Sequence, residues 1–298
     1  MKPLIRELVR NVPYISRLRR LLNKQGAYPV GHYYSPIPSR DDVAAGLQRT
    51  HSAPLLTDID FRSAEQLRLL ESMAVFYKDV PFPEKKRDGS RYYFEQPWFS
   101  YSDAIMLYGL IRRFGIKKII EVGSGYSSAV MLDTLESLHE PNFDLTFIEP
   151  YPERLKSLVT FQDGQNVKLI QKRIQDVDLG LFSSLQPGDL LFIDSSHVVK
   201  FHSDLHVILF DILPRLRNGV LVHFHDIFYP FEYPSDWLLE GRYWNECYLL
   251  RAFLSGNTRW EMTLFNHYAN LEFPDFISSS MPLCRKNFGG GLYLRKIS

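Results

Sequence analysis

A doubly wound α/β sheet, mostly parallel, is the fold class that this 298-residue sequence predicts, and three observations predict it. From residue 117 onward, short apolar runs alternate with amphipathic stretches, the pattern of strand–helix–strand units. The first of those runs ends in a glycine-rich turn, Gly123-Ser124-Gly125. Two strand-like segments near the C-terminus, residues 260–268 and 291–295, have no helical crossover pattern between them, which suits an antiparallel hairpin at a sheet edge.

The elements follow in order. Residues 25–60 are rich in Pro, Gly, Ser and aromatics and read as an ordered but irregular wrap. Residues 61–78 place Leu67, Leu70, Met73, Ala74 and Tyr77 at helical spacing. A basic, glycine-containing loop over 84–91 leads to Trp98-Phe99-Ser100-Tyr101 and then to a helix over 102–114. Strands are expected at 119–122, 145–148, 167–170, 190–193 and 220–224. Helices are expected at 127–138, at 152–160 and around Leu205, Ile208, Leu209, Ile212 and Leu216. Residues 1–95 are thus expected to form an N-terminal basic segment and wrap, and 96–298 the α/β domain.

Composition narrows the function classes. Basic and acidic residues nearly balance, 35 against 34, and apolar residues make up 45%, which is ordinary for a globular chain. Near neutrality gives no reason to expect a nucleic-acid partner. The two cysteines, Cys247 and Cys284, are too few for a disulfide framework and lack metal-ligand spacing, so a reducing, cytoplasmic setting is expected. No run approaches the ~18 apolar residues of a membrane span.

The charge is unevenly distributed. Residues 1–24 carry Lys2, Arg6, Arg10, Arg17, Arg19, Arg20 and Lys24 against the single acid Glu7, interleaved with apolar residues near helical spacing. Arginines and Pro13 break any signal-peptide core. Two readings stay open: an amphipathic segment touching an anionic membrane surface, or a helix packed on its own chain or on a second subunit.

In open α/β sheets, ligands bind at the carboxyl ends of the strands, near the topological switch point. The first strand ends in Glu121-Val122-Gly123-Ser124-Gly125-Tyr126-Ser127-Ser128 and the second in Glu149. A carboxylate at Glu149 can accept hydrogen bonds from both ribose hydroxyls. A dinucleotide would want a third glycine where Ser128 stands and an acid ~20 residues on. Glu149 lies 26 residues after Gly123, and Glu121 would face a doubly anionic pyrophosphate. S-adenosylmethionine, with a sulfonium, an ammonium and no phosphate, suits these acids better.

On these residues the chain resembles the class I S-adenosylmethionine-dependent methyltransferases over roughly residues 98–298. The resemblance implies a Rossmann-like, seven-stranded sheet with the terminal edge hairpin. It also implies cofactor contacts at Glu121, Gly123, Ser124, Gly125 and Ser127, ribose binding by Glu149, and an adenine contact at Asp176. Strand four ends in Asp194-Ser195-Ser196-His197 and strand five in His223-Phe224-His225-Asp226. Asp194, His225 and Asp226 resemble the ion-binding positions of metal-dependent small-molecule O-methyltransferases, with Mg²⁺, Mn²⁺, Fe²⁺ or Zn²⁺ as candidates. The spacing from Asp194 to His197 resembles that of sugar O-methyltransferases, in which the histidine is the general base. His202 and His206, four apart, lack a third ligand and read as surface residues.

The expected reaction is therefore methyl transfer to a hydroxyl of a sugar, polysaccharide precursor or natural product. The aromatic loop from Phe228 to Pro234, with Trp98 and Tyr101, is the candidate substrate wall. A small-molecule or glycan acceptor and a second copy of the chain are the partners this reading admits. Two rivals stand beside it: a nicotinamide-dependent oxidoreductase, and a non-catalytic scaffold that retains the fold.

Overall fold

The computed structural model describes residues 26–48, 56–161 and 166–298. The basic segment 1–24 lies outside the described residues. The described residues fall into two compact units: 26–48 with Tyr233–Tyr243, and 56–161 and 166–232 with Trp244–Ser298. In the smaller unit, helix α1 (Arg40–Gln48) starts behind Ser39, whose hydroxyl accepts from Asp42 N at 3.0 Å and donates to its carboxylate at 2.6 Å. The larger unit takes in residues 56–95 as well, which the sequence reading assigns to a wrap attached to the α/β domain. The reason is burial: Leu70, Met73, Phe82, Tyr92 and Phe94 share one core with the helix that follows.

That core is organised around a sheet. Among the described residues, seven strands are β1 (Lys118–Val122), β2 (Asp144–Ile148), β3 (Val167–Ile170), β4 (Leu190–Ile193), β5 (Leu221–Phe224), β6 (Trp260–Phe265) and β7 (Leu292–Lys296). Their order is β3-β2-β1-β4-β5-β7-β6, parallel from β3 through β5 and antiparallel from β5 to β7 to β6. Central strands β4 and β5 are buried at every position, which is why β4 reads as an unbroken apolar run and β5 as one interrupted only by His223. Helices α2 (Ser63–Ala74), α3 (Tyr101–Phe114) and α4 (Tyr126–Ser137) contribute the apolar face that covers one side. Eleven consecutive residues of α3, from Tyr101 to Ile111, are buried, so the helix is packed on all sides over that span.

Two details differ from the sequence reading. Strand β6 stops at Phe265, and Asn266–Glu272 and Pro274–Ser280 are helices, so β6 and β7 pair antiparallel without a tight hairpin turn. The amphipathic stretch after β4 starts as an α-helix at Asp204–Val207, widens to a π-helix over Ile208–Ile212 and tightens to a 3-10 turn at Leu213–Arg215. Pro214 supplies the cause, because it removes one amide donor from the continuing helix. The chain leaves β1 in one direction, to β2 and β3, and later returns to β4 on its other side. The switch point therefore lies between the ends of β1 and β4, where Gly123 and Asp194 stand.

Candidate active site

The first half of the site is built by the turn after β1. Gly123 has φ +78°, and a Cβ at this position would overlap the carbonyl of Asp194, so the turn closes against β4 only because the residue is glycine. Beneath the turn, Glu121 is fully buried and accepts hydrogen bonds from Ser127 Oγ at 2.5 Å and from Ser128 Oγ. Ser128 Oγ also accepts from Gly125 N at 3.0 Å, tying the turn to the start of α4. Burial pushes the Glu121 carboxyl up to about 8, against the serine hydrogen bonds. Glu121 and Ser127 thus brace the turn from below rather than lie on its open face.

Glu149, at the end of β2, accepts from Ser124 N at 3.1 Å and from Tyr151 N at 2.8 Å. The carboxylate is thereby fixed at the mouth of a cavity of about 490 Å³, within the usual range for small-molecule sites. Gly123, Glu149, Ile174, Gln175 and Asp194 are among its walls, so the ends of four strands meet there. Asp176 is not among those walls; it pairs with Arg173 at 3.2 Å, and the preceding residues 173–175 face the cavity instead. His202 lies on the cavity rim rather than on a helix face.

The second half lies at the ends of β4 and β5. His197 is buried and has φ +59°, a left-handed conformation tolerated by few residues other than glycine. The conformation is held from outside the loop: Asn245 N and Glu246 N both donate to His197 O, at 3.2 and 3.3 Å, and Asn245 Oδ1 accepts from Val199 N at 2.6 Å. Trp244 packs on the imidazole, ring centroids 4.4 Å apart. The imidazole Nδ1 is 2.8 Å from Glu246 Oε2, and its Nε2 lies 3.5 Å from Asp194 Oδ1 and 3.6 Å from Asp226 Oδ2. Burial opposes charge on the ring, but the Asp194 and Glu246 carboxylates, with Asp226, outweigh it and hold His197 well above the ordinary histidine value. Asp194 is pulled the other way: burial raises it, and His225 and His197 more than offset that, leaving it below the usual carboxylate range.

Glu246 went unnoticed in the sequence. It opens helix Glu246–Leu254, 49 residues after His197, and only a buried acid at the first turn of an otherwise apolar helix would have marked it. Asp103, on α3, is a second such residue. It is fully enclosed and accepts from Asn266 Nδ2 at 3.0 Å, Gly290 N at 3.0 Å and Gly291 N at 3.1 Å.

The ion set expected at Asp194, His225 and Asp226 does not assemble. Among the described residues, no group of three or more His, Cys, Asp or Glu side chains stands in a metal-holding arrangement. The His197 ring reaches between the two aspartates, and His225 packs against Phe99, 5.1 Å between centroids, with its Nε2 3.6 Å from Asp226 Oδ1. The Asp194 and Asp226 carboxylates each have an oxygen facing the imidazole Nε2 instead. His223, on the same face of β5, is stacked on Phe192 at 3.9 Å in the apolar interior, and burial keeps it neutral. Nor is the aromatic loop after β5 an open wall: Phe231 is buried, and Phe61, Phe265 and Tyr268 pack around Tyr229 and Phe231. Tyr101 is stacked on Phe94, while Trp98 remains exposed.

A family model described as a methyltransferase domain matches residues 120–227. An uncharacterized protein of Archaeoglobus fulgidus is 30% identical over 165 residues, covering 53% of this chain and 74% of that protein. Similar solved structures include an S-adenosylhomocysteine-bound methyltransferase of Podospora anserina (15% identity, 89% of this chain and 99% of that one, TM-score 0.45). Another is a caffeoyl-CoA O-methyltransferase assigned in Staphylococcus aureus (14% identity, 79% and 100%, TM-score 0.42). The glycine turn, the ribose-type acid and the switch-point cavity fall inside the matched segment, and the chain belongs to the class I S-adenosylmethionine-dependent methyltransferase family.

Proposed function

We propose that the protein methylates a hydroxyl oxygen, with a sugar, polysaccharide precursor or related natural product as acceptor. The observation that carries this reading is His197, with Nε2 beside the strand-end carboxylates of Asp194 and Asp226 and Nδ1 bound to a buried carboxylate. Nitrogen or carbon acceptors that are already nucleophilic need no such base; an alcohol does, because it will not ionise unaided near neutral pH.

The residues fit the cofactor. Gly123 lets the chain approach closely, Glu149 is held open to a diol, and the carboxylates of Asp194 and Asp226 suit a cation. When bound, S-adenosylmethionine supplies a methyl group on a positively charged sulfur, which an oxygen nucleophile can displace. His197 Nε2 takes the hydroxyl proton, and Glu246 keeps Nδ1 protonated and the ring in place. Asp194 and Asp226 flank the ring and stabilise the imidazolium that results. The neutral, base-competent ring forms above its raised pKa, so turnover rises with pH through a limb that lies above the ordinary value of 6.5.

Tritiated S-adenosylmethionine incubated with a panel of sugars, nucleotide sugars and phenols tests the assignment. His197→Ala is expected to lower turnover by ~10²-fold or more while S-adenosylhomocysteine affinity stays within about twofold. Unchanged turnover in that variant, or label found on nitrogen, would remove the hydroxyl-transfer reading.

A further inference from the structure

The side chain of Arg154 sits above the glycine turn and has no counter-ion among the described residues. Arg154 is the second residue of helix Glu153–Leu158, just after the strand that ends in Glu149. Its guanidinium lies over the ring of Trp98, 3.8 Å from the centroid, and its Cδ would be 3.3 Å from a Cβ placed on Gly125. Among the described residues it makes no ion pair or side-chain hydrogen bond, whereas Arg173, the arginine on the cavity wall, is paired with Asp176. Its charge is nonetheless felt by Asp194 and Tyr126, which places it toward the site.

The charge balance of the site says what such a cation is for. Glu149 and Asp194 are acids on the cavity wall, and they suit the ribose and the positively charged groups of the cofactor. The remaining charge on that molecule is the carboxylate of its amino-acid tail, and no acid can hold it. The ribose belongs at Glu149 and the sulfur within reach of His197. Ser124 N binds Glu149 and Gly123 packs on Asp194, so the turn spans the distance between those two points. The short tail therefore crosses Gly123–Gly125, beneath Arg154. We propose that Arg154, held on the face of Trp98, binds the α-carboxylate of the cofactor's methionine portion. This rests on the methyltransferase reading and assigns one further contact within it. Arginine suits the task because its planar fork pairs both carboxylate oxygens and stacks on an aromatic face at once.

Calorimetric titration needs no acceptor and separates this contact from the reading beneath it. Two ligands are compared: S-adenosylhomocysteine, and its decarboxylated analogue, which keeps the amine and the thioether. Arg154→Met should weaken S-adenosylhomocysteine ~10- to 100-fold, the range for a charge-assisted hydrogen bond, and leave the analogue within about twofold. Arg154→Lys should recover part of the loss, and Trp98→Ala should cost several-fold for S-adenosylhomocysteine alone. Equal weakening of both ligands, or an unchanged affinity for S-adenosylhomocysteine, would overturn the assignment. A wild-type chain that binds neither ligand would overturn the cofactor reading itself, and this contact with it.

Discussion

The two halves of the site are built on different principles. At the ends of β1 and β2, acids are satisfied by near neighbours: Glu121 by Ser127 and Ser128, Glu149 by Ser124 and Tyr151. Ser124 Oγ is the exception there. At the ends of β4 and β5, partners come from far along the chain, and several buried atoms have none: Glu246 Oε1, His225 Nδ1, Ser195 Oγ and both nitrogens of His223. His197 and Asp226 both take left-handed backbone conformations. Such atoms also occur elsewhere among the described residues, at Thr134, Thr263 and Tyr293, but at the ends of β4 and β5 they coincide with left-handed backbone at His197 and Asp226. The first half is a rigid seat. The second is a charged, over-determined pocket around one histidine.

Breaking the seat should give the largest effect. Gly123→Ala puts a methyl group into the Asp194 carbonyl at a positive φ, and is expected to destabilise the larger unit by about 4 kcal/mol or more, read from urea denaturation. A loss under about 1 kcal/mol would mean the β1 and β4 ends are not locked together.

Disturbing the charged pocket should leave the fold and change the chemistry. Glu246→Gln keeps the shape but removes a carboxylate that raises His197. The expected result is roughly tenfold slower turnover at the plateau, with the rising limb of the pH–rate profile moved to lower pH. Tenfold loss with an unmoved limb would reduce Glu246 to a packing role.

The smallest effect at acid pH, and one that sharpens the contrast, belongs to Glu121. Its carboxyl is raised from 4.5 unfolded to about 8 folded, so the folded state holds an extra proton between those values. Stability is then highest at the acid end of that window and falls as pH rises toward 8. Glu121→Gln should match the wild type near pH 5 and exceed its melting temperature near pH 8.5. Parallel melting curves across that range would show that the serines keep Glu121 ionised.

Much of this was legible in the chain. Local spacing suffices for β1 through β5 because these strands are short, mostly apolar and bounded by turn residues. The glycine turn and Glu149 were readable for the same reason: their partners lie within a few residues or on the neighbouring strand. The helices at Asn266–Glu272 and Pro274–Ser280 were missed because residues 260–268 carry an apolar run that strand and helix both tolerate. The pairing of the two aspartates with His197 was not legible, because strand-end positions specify which side chains share a rim, not which partner each carboxylate faces. There the His197 ring reaches between Asp194 and Asp226.

The sequence by itself determined the sheet, its switch point and the chemistry of the turn, since these depend on period and on neighbours in the chain. Only the tertiary structure decided that Glu246 stands behind His197, that Asp103 lies enclosed beside β7, and that Arg154 faces the glycine turn. Those arrangements join residues from separate elements, and the hydrophobic packing that joins them is not encoded in any local pattern.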